Sequence, residues 1–114
     1  MRPDRLYLED IVAAADAIVA FVSGRDASAF AADDIVRSAV LFKLIVIGEA
    51  ASKVSPELRA RLVDVPWQDV VGFRNVAVHA YFGVDWDIVW TTATEDIPPL
   101  RERVASLLTA SESI

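Results

Sequence analysis

The sequence has no cysteine, one histidine and one methionine among its 114 residues. A chain without cysteine cannot form disulfides or thiolate metal sites, and this composition is compatible with the cytoplasm. No charge-free run approaches the roughly 20 residues that a helix needs to cross a bilayer. The N-terminal residues lead into an amphipathic segment that carries acids, rather than into a signal peptide. We therefore expect a cytoplasmic protein without a membrane segment.

Basic residues are also scarce, since 11 lysines and arginines stand against 17 acids, giving a net charge of −6. That sign opposes non-specific binding to nucleic acid. The local distribution differs from the sum, because no acidic residue occurs between Val70 and Val84, where Arg74 and His79 lie. This stretch is therefore locally cationic within an acidic chain.

Alternation of apolar and polar residues with a period of two is absent, so we predict no sheet. Apolar residues make up 54% of the chain and its mean hydropathy is +0.38, which is rich for a domain of this size. The excess suggests that part of the apolar surface is buried between subunits. The length is that of one domain, which we assign to residues 1–114.

Apolar residues recur at spacings of three and four, which predicts a series of helices. The predicted helices run from Asp4 to Val22, Asp33 to Val54, Ser55 to Leu62, Pro66 to Gly83, Trp86 to Thr94 and Leu100 to Ala110. The second of these is apolar on nearly every side, so we predict that it is central and contributes to a dimer contact. Within it, Gly48 would allow a neighbouring helix to approach closely.

Caps and breaks mark the ends of these helices. We predict that Asp4, Ser55 and Asp85 cap the helices that follow them. Gly24 is expected to end the first helix, and Pro98-Pro99 to break or kink the chain before the last one. The tryptophans of the chain fit a core or interface better than a platform for stacked bases; they are Trp67, Trp86 and Trp90.

The helix predicted from Pro66 to Gly83 carries an unusual pair of polar residues. At about 100° per residue, Arg74 falls on the apolar stripe, whereas His79 falls on a stripe of polar and small residues. An ordinary explanation is an arginine that reaches out to solvent and a histidine on the surface. A functional explanation must account for the angle of about 140° between them on an ideal helix. Convergence on one substrate needs a distorted helix or a second copy of the chain.

Arg74, His79 and Tyr81 stand at the spacing R-x4-H-x-Y. This motif resembles that of the HepT-like proteins, within the HEPN superfamily, and the likeness extends over about residues 4 to 108. Its flanking elements are Asn75, Ile47-Gly48-Glu49-Ala50, Pro66-Trp67 and Tyr81-Phe82-Gly83-Val84-Asp85. The resemblance implies an all-α, HEPN-like, up-and-down helical bundle of about four to five helices that forms a homodimer.

The same resemblance implies a metal-independent endoribonuclease toxin of a type VII-like toxin–antitoxin pair. Arg74 and His79 would be catalytic, in a cleft at the dimer interface, and neither a metal nor a cofactor is implied. Tyr81 would accept AMP groups from a cognate MntA-like nucleotidyltransferase antitoxin, which would block the cleft for RNA.

These residue types suit the chemistry, because RNA supplies its own nucleophile in the 2′-hydroxyl. Histidine can take up or release a proton near neutral pH, and arginine presents a planar donor fork to phosphate. Asn75, one turn before His79, could orient the imidazole or contact phosphate. Glu49 has two interpretations: a surface pair with Lys53, or a buried carboxylate that holds Arg74 or His79.

Two other functions remain open from the sequence. The chain could be a non-catalytic regulatory subunit that docks a nucleotidyltransferase and presents Tyr81, and the acidic net charge favours this alternative slightly. It could also be a purely structural dimer. The intact set of Arg74, His79 and Tyr81 favours the nuclease over the structural dimer.

Overall fold

The computed structural model describes residues 2–75 and 83–110, and every regular element in those ranges is helical. The elements are α1 (Asp4–Val22), α2 (Ala27–Ala32), α3 (Asp34–Lys53), α4 (Pro56–Arg59), a 3-10 turn (Ala60–Leu62), α5 (Trp67–Gly72), α6 (Trp86–Thr91), a π turn (Thr92–Asp96) and α7 (Ile97–Ala110). The predicted all-α class is confirmed. Within the two described ranges, no helix has the length and apolar character to cross a membrane.

The hydrophobic core lies where α1 packs along α3 and α7 packs against α1. In both long helices the buried side chains recur at spacings of three and four residues, which places them on one face. The fully enclosed large side chains are Leu8, Ile11, Ile18, Phe30, Val40, Leu44, Ile47, Ile97 and Val104. Since α3 also contacts α2, α5 and α6, its predicted central position is confirmed.

Side-chain caps fix the starts of four helices, among them α3, α4 and α6. Ser55 Oγ accepts a hydrogen bond from the N–H of Leu58 at 3.2 Å, and Asp33 caps α3 through the N–H of Val36, also at 3.2 Å. The Asp85 carboxylate accepts from two backbone N–H groups of α6. The predicted capping roles of Ser55 and Asp85 are confirmed. Such bonds satisfy amides that have no partner within the helix.

The prediction that Asp4 caps α1 is wrong by one residue, because Pro3 occupies the cap position. Asp4 lies in the first turn, where the helix dipole favours a carboxylate. Its oxygens accept hydrogen bonds from the backbone N–H of Ser55 at 3.1 Å and from the Ser55 hydroxyl. Asp4 therefore ties the start of α1 to the start of α4. At the other end, α1 stops at Val22, and Gly24 with a φ of +74° ends the helical path, as predicted.

The predicted break at Pro98-Pro99 is also wrong, because the chain is helical from Trp86 to Ala110. The irregularity lies earlier, in the π turn, where the N–H of Ile97 donates to the carbonyl of Thr92. The two prolines follow directly in α7, and since they have no N–H they need no carbonyl partner in the π turn before them. The wider turn thus comes before the prolines and lets the helix continue.

The tryptophans are packed against the protein, as predicted. Phe30 lies against two of them, with ring centroids 6.4 Å from Trp86 and 5.2 Å from Trp90. The indole N–H of Trp67 donates to the carbonyls of Arg59 and Leu62, at 3.2 and 3.1 Å. These contacts join α2 to α6 and α5 to the segment before it.

Candidate active site

The segment that carries Arg74 is not the continuous helix that the periodicity predicts. α5 ends at Gly72, and the next two amides bond three residues back. The N–H of Phe73 donates to the Val70 carbonyl at 3.1 Å, and that of Arg74 to the Val71 carbonyl at 3.3 Å. This tighter closure is typical of a helix end. The helix break therefore lies at Arg74, before the segment from residue 76 to residue 82, which is outside the described residues.

The structure describes two of the four predicted residues in this motif, Arg74 and Asn75. Arg74 is half-buried, with 40% of its side chain exposed. Asn75 is exposed beside it. His79 and Tyr81 lie outside the described residues, and their predicted roles stay predictions.

Gly48 of α3 lies directly against the end of α5. A methyl group at this position would lie 2.6 Å from the Arg74 amide nitrogen and 3.1 Å from the Val71 carbonyl oxygen. Only a residue without a side chain allows this distance, so the predicted close approach of a neighbouring helix at Gly48 is confirmed. The sequence offered one signal for it, a glycine inside an otherwise apolar helix, but did not connect it to Arg74.

Glu49 is the acidic neighbour of Arg74. Its Oε1 atom lies 3.8 Å from Arg74 Nη1, with 56% of the carboxylate side chain exposed. The predicted pairing with Arg74 is therefore found, whereas the predicted burial of the carboxylate is wrong. Since Gly48 and Glu49 are adjacent on α3, one turn of this helix contacts both the backbone and the side chain of Arg74.

Comparison with known proteins identifies the family. Residues 11–107 match the family described as "Ribonuclease HepT-like". The chain belongs to the HepT-like ribonuclease family. It is 34% identical to the probable ribonuclease HepT of Thermococcus cleftensis, over 93% of this chain and 96% of that protein. It is 33% identical to a candidate RNase of Methanocaldococcus jannaschii, over 90% of this chain and 94% of the other. No solved structure matches the chain.

In this HepT-like chain, the face of α3 that carries Glu49 is apolar and partly uncovered. Phe42 is 60% exposed and Ile35 is 81% exposed, at positions one and two heptads before Glu49, respectively. Ile45 and Val46 are half-buried on the same side. Together, Ile35, Phe42, Ile45 and Val46 form an apolar strip along α3, which we call the α3 strip. The strip leads directly to the Arg74–Glu49 pair.

Within the described residues, the side chain of Arg74 has few polar neighbours. Among residues 2–75 and 83–110, its one polar partner is Glu49, at a distance too long for a hydrogen bond. The planar donor fork of the guanidinium is therefore unsatisfied by that part of the HepT-like chain. In the same ranges, no group of three or more histidine, aspartate or glutamate side chains could hold a metal ion.

Proposed function

We propose that this HepT-like protein is a metal-independent endoribonuclease, the toxin of a type VII-like pair with an MntA-like nucleotidyltransferase antitoxin. The observation that carries this proposal is the state of Arg74 within its motif. It lies at a helix break, 40% exposed, beside a carboxylate 3.8 Å away. A cation held loosely in this way can exchange its carboxylate for a phosphodiester.

The proposed reaction uses the 2′-hydroxyl of the RNA itself together with histidine and arginine side chains, which Asn75 and Glu49 support. The 2′-oxygen attacks the neighbouring phosphorus, one His79 imidazole takes the hydroxyl proton, and a second His79 gives a proton to the departing 5′-oxygen. Arg74 faces the phosphorane, whose additional negative charge it stabilises. Asn75, exposed beside Arg74, contacts phosphate or orients the imidazole. Glu49 supports the site by holding Arg74 until RNA binds.

A homodimer supplies the two imidazoles that this reaction uses. The α3 strip supports this part of the proposal, because large exposed apolar side chains mark interaction surfaces. In a twofold dimer built on the strip, each chain would bring its Arg74 close to the interface. The cleft would then contain the motif residues of both protomers.

Tyr81 is the proposed site of control by the antitoxin. The phenol oxygen attacks the α-phosphorus of ATP, the bond to the β-phosphate oxygen breaks, pyrophosphate leaves, and the phenol proton passes to solvent. The attached AMP adds a bulky anion near Arg74, which opposes RNA by charge and by volume. The alternative function, a non-catalytic subunit that presents Tyr81 to the nucleotidyltransferase, is favoured by the net charge of −6.

Cleavage of RNA in the presence of EDTA tests the nuclease. We expect His79→Ala to lower the rate by about 10²- to 10⁴-fold, the usual contribution of general acid–base catalysis. Arg25→Ala is a matched control, since it removes a cation that pairs with Asp33 away from the motif. Equal cleavage by the wild type and His79→Ala would contradict the catalytic assignment and leave the docking subunit as the better explanation.

Incorporation of AMP tests the site of control. Incubation with the nucleotidyltransferase and ATP should add mass in AMP steps, and Tyr81→Phe should abolish the addition. The chain offers a matched control in Tyr7→Phe, because these are its two tyrosines. Labelling that persists in Tyr81→Phe and disappears in Tyr7→Phe would move the acceptor to the first helix.

A further inference from the structure

We propose that Gly48 is a positioning residue for Arg74, a role that rests on the proposed function of Arg74 in binding phosphate. Gly48 meets the end of α5 through backbone atoms, since a methyl group there would lie 2.6 Å from the Arg74 amide nitrogen. It would also lie 3.2 Å from Arg74 Cβ. The point from which the Arg74 side chain leaves the backbone is therefore set by contact with α3.

The atoms that a side chain would meet explain why the contact cannot be relieved cheaply. Two of the three nearest are backbone atoms, the Arg74 nitrogen and the Val71 oxygen, and these two are bonded to each other at 3.3 Å. A flexible side chain could rotate away, whereas this hydrogen-bonded turn can only move as a unit. An alanine at position 48 must therefore push α5 and α3 apart, or displace Arg74 along the surface.

The next residue along α3 links this geometry to the guanidinium. Glu49 pairs with Arg74 Nη1 at 3.8 Å, so consecutive residues of α3 contact the start and the tip of the same side chain. If the backbone of Arg74 shifts, the donor fork no longer occupies the same place relative to α3. Gly48 thus acts on phosphate through Arg74, and it does not itself touch the substrate.

The test uses Gly48→Ala and a matched control in Gly72→Ala. Gly72 is also helical, but a methyl group there would meet no atom within 4 Å. The probe is an oligoribonucleotide with every 2′-hydroxyl methylated, which lacks the nucleophile and cannot be cleaved by the proposed route. Affinity is measured at several salt concentrations, because each phosphate contact to a single strand contributes about 0.7 to the slope of log affinity against log salt.

We expect Gly48→Ala to weaken binding about tenfold, as for one lost charge-assisted hydrogen bond. Its salt slope should flatten toward that of Arg74→Ala, which a general loss of stability would not produce. The double variant Gly48→Ala/Arg74→Ala should bind no more weakly than Arg74→Ala alone. Gly72→Ala should bind as the wild type does.

The outcomes separate this proposal from the function on which it rests. If Arg74→Ala binds the probe as the wild type does, the proposed phosphate contact of Arg74 is wrong, and the role of Gly48 is wrong with it. If Arg74→Ala binds weakly but Gly48→Ala binds normally, or if the two losses add in full, only the role of Gly48 is overturned. If Gly48→Ala does not fold, the contact is measured in the wild type by NMR. We expect a nuclear Overhauser effect between the Gly48 α-protons and the Arg74 amide proton. Its absence would overturn the proposal.

Discussion

Glu49 Oε1 lies 3.8 Å from Arg74 Nη1, near enough for attraction but too far for a hydrogen bond. Exposed pairs of this kind contribute little to stability, typically less than about 1 kcal/mol. In the proposed function, the same carboxylate competes with the phosphates of RNA for this guanidinium. If Arg74 binds phosphate as proposed, the pair should matter more for binding than for folding.

Replacing Glu49 should separate these two effects. We expect Glu49→Gln to change the free energy of unfolding by less than about 1 kcal/mol, while the KM for RNA falls a few-fold at low ionic strength. The difference in KM should shrink as salt is added, because screening weakens interactions between exposed charges. Glu57→Gln removes the same charge from an exposed position in α4 and should leave KM unchanged. A higher KM in Glu49→Gln would show that the carboxylate orients Arg74 for binding.

Two glycines should respond in opposite directions to replacement by alanine. Gly24 has φ of +74°, a conformation that costs an L-residue about 1 kcal/mol or more, so Gly24→Ala should destabilise the fold. Gly72 is helical and its surroundings are open, so Gly72→Ala should be neutral or stabilise by up to about 1 kcal/mol. Urea denaturation would measure both. A stability for Gly24→Ala equal to that of the wild type would mean that this residue is not left-handed in solution.

The parts of the fold that depend on neighbours in sequence could be predicted. Ser55 and Asp85 cap amides two or three residues away, so the pattern of residues was sufficient to identify them. The role of Asp4 could not be identified in this way, because its partner Ser55 is 51 positions distant. Nothing local distinguishes a carboxylate that caps its own helix from one that joins two helix starts.

In the candidate site, too, local features could be predicted from the sequence, whereas features that depend on distant residues could not. The motif around Arg74 identifies the family and the residue, but the apolar periodicity continues through Phe73 and conceals the helix break. At that break Arg74 lies against Gly48, which is 26 positions earlier in the sequence. The exposure of Glu49 likewise depends on how α5 lies on α3. These features are tertiary, and a single sequence without spatial contacts does not specify them.

Acid should weaken one connection outside the site, between Asp64 and Arg103. The hydrogen bond from Arg103 holds the pKa of the Asp64 carboxyl below its ordinary value of 3.8. Because the folded pKa is the lower one, the stabilising effect is complete above the pKa of the unfolded chain and is lost as pH falls through the folded value. Below pH 3.8, therefore, the pair should contribute progressively less.

A carbon NMR titration of the Asp64 carboxyl would measure this shift. In Arg103→Gln we expect the pKa of Asp64 to return toward its ordinary value, because the Arg103 Nε donor, 2.8 Å from Asp64 Oδ2, is gone. Arg101→Gln is the matched control, since Arg101 pairs with Asp16 and Glu102 instead. An Asp64 titration that Arg103→Gln leaves unchanged would show that the pair does not form in solution.

The α3 strip leads to a prediction about assembly. Phe42 is 60% exposed on this strip, and the proposed dimer would bury it. A charge there could be accommodated in a monomer but would remain unpaired in an apolar interface. Sedimentation at micromolar concentration should therefore report a dimer for the wild type and a monomer for Phe42→Glu. Val63→Glu is the control, because Val63 is 84% exposed but lies outside the strip, and this variant should remain a dimer.

Mixing inactive variants would show whether the assembly also builds the catalytic cleft. Arg74→Ala and His79→Ala homodimers should each cleave RNA poorly, whereas a mixed dimer retains one guanidinium and one imidazole in the shared cleft. We expect the mixed dimer to cleave faster than the His79→Ala homodimer, which has no imidazole, and more slowly than the wild type, which has the two that the proposed reaction uses. No gain should follow mixing when each partner also carries Phe42→Glu, which prevents the exchange. A monomeric wild type, or a Phe42→Glu monomer that cleaves at the wild-type rate, would mean that one chain contains the whole site.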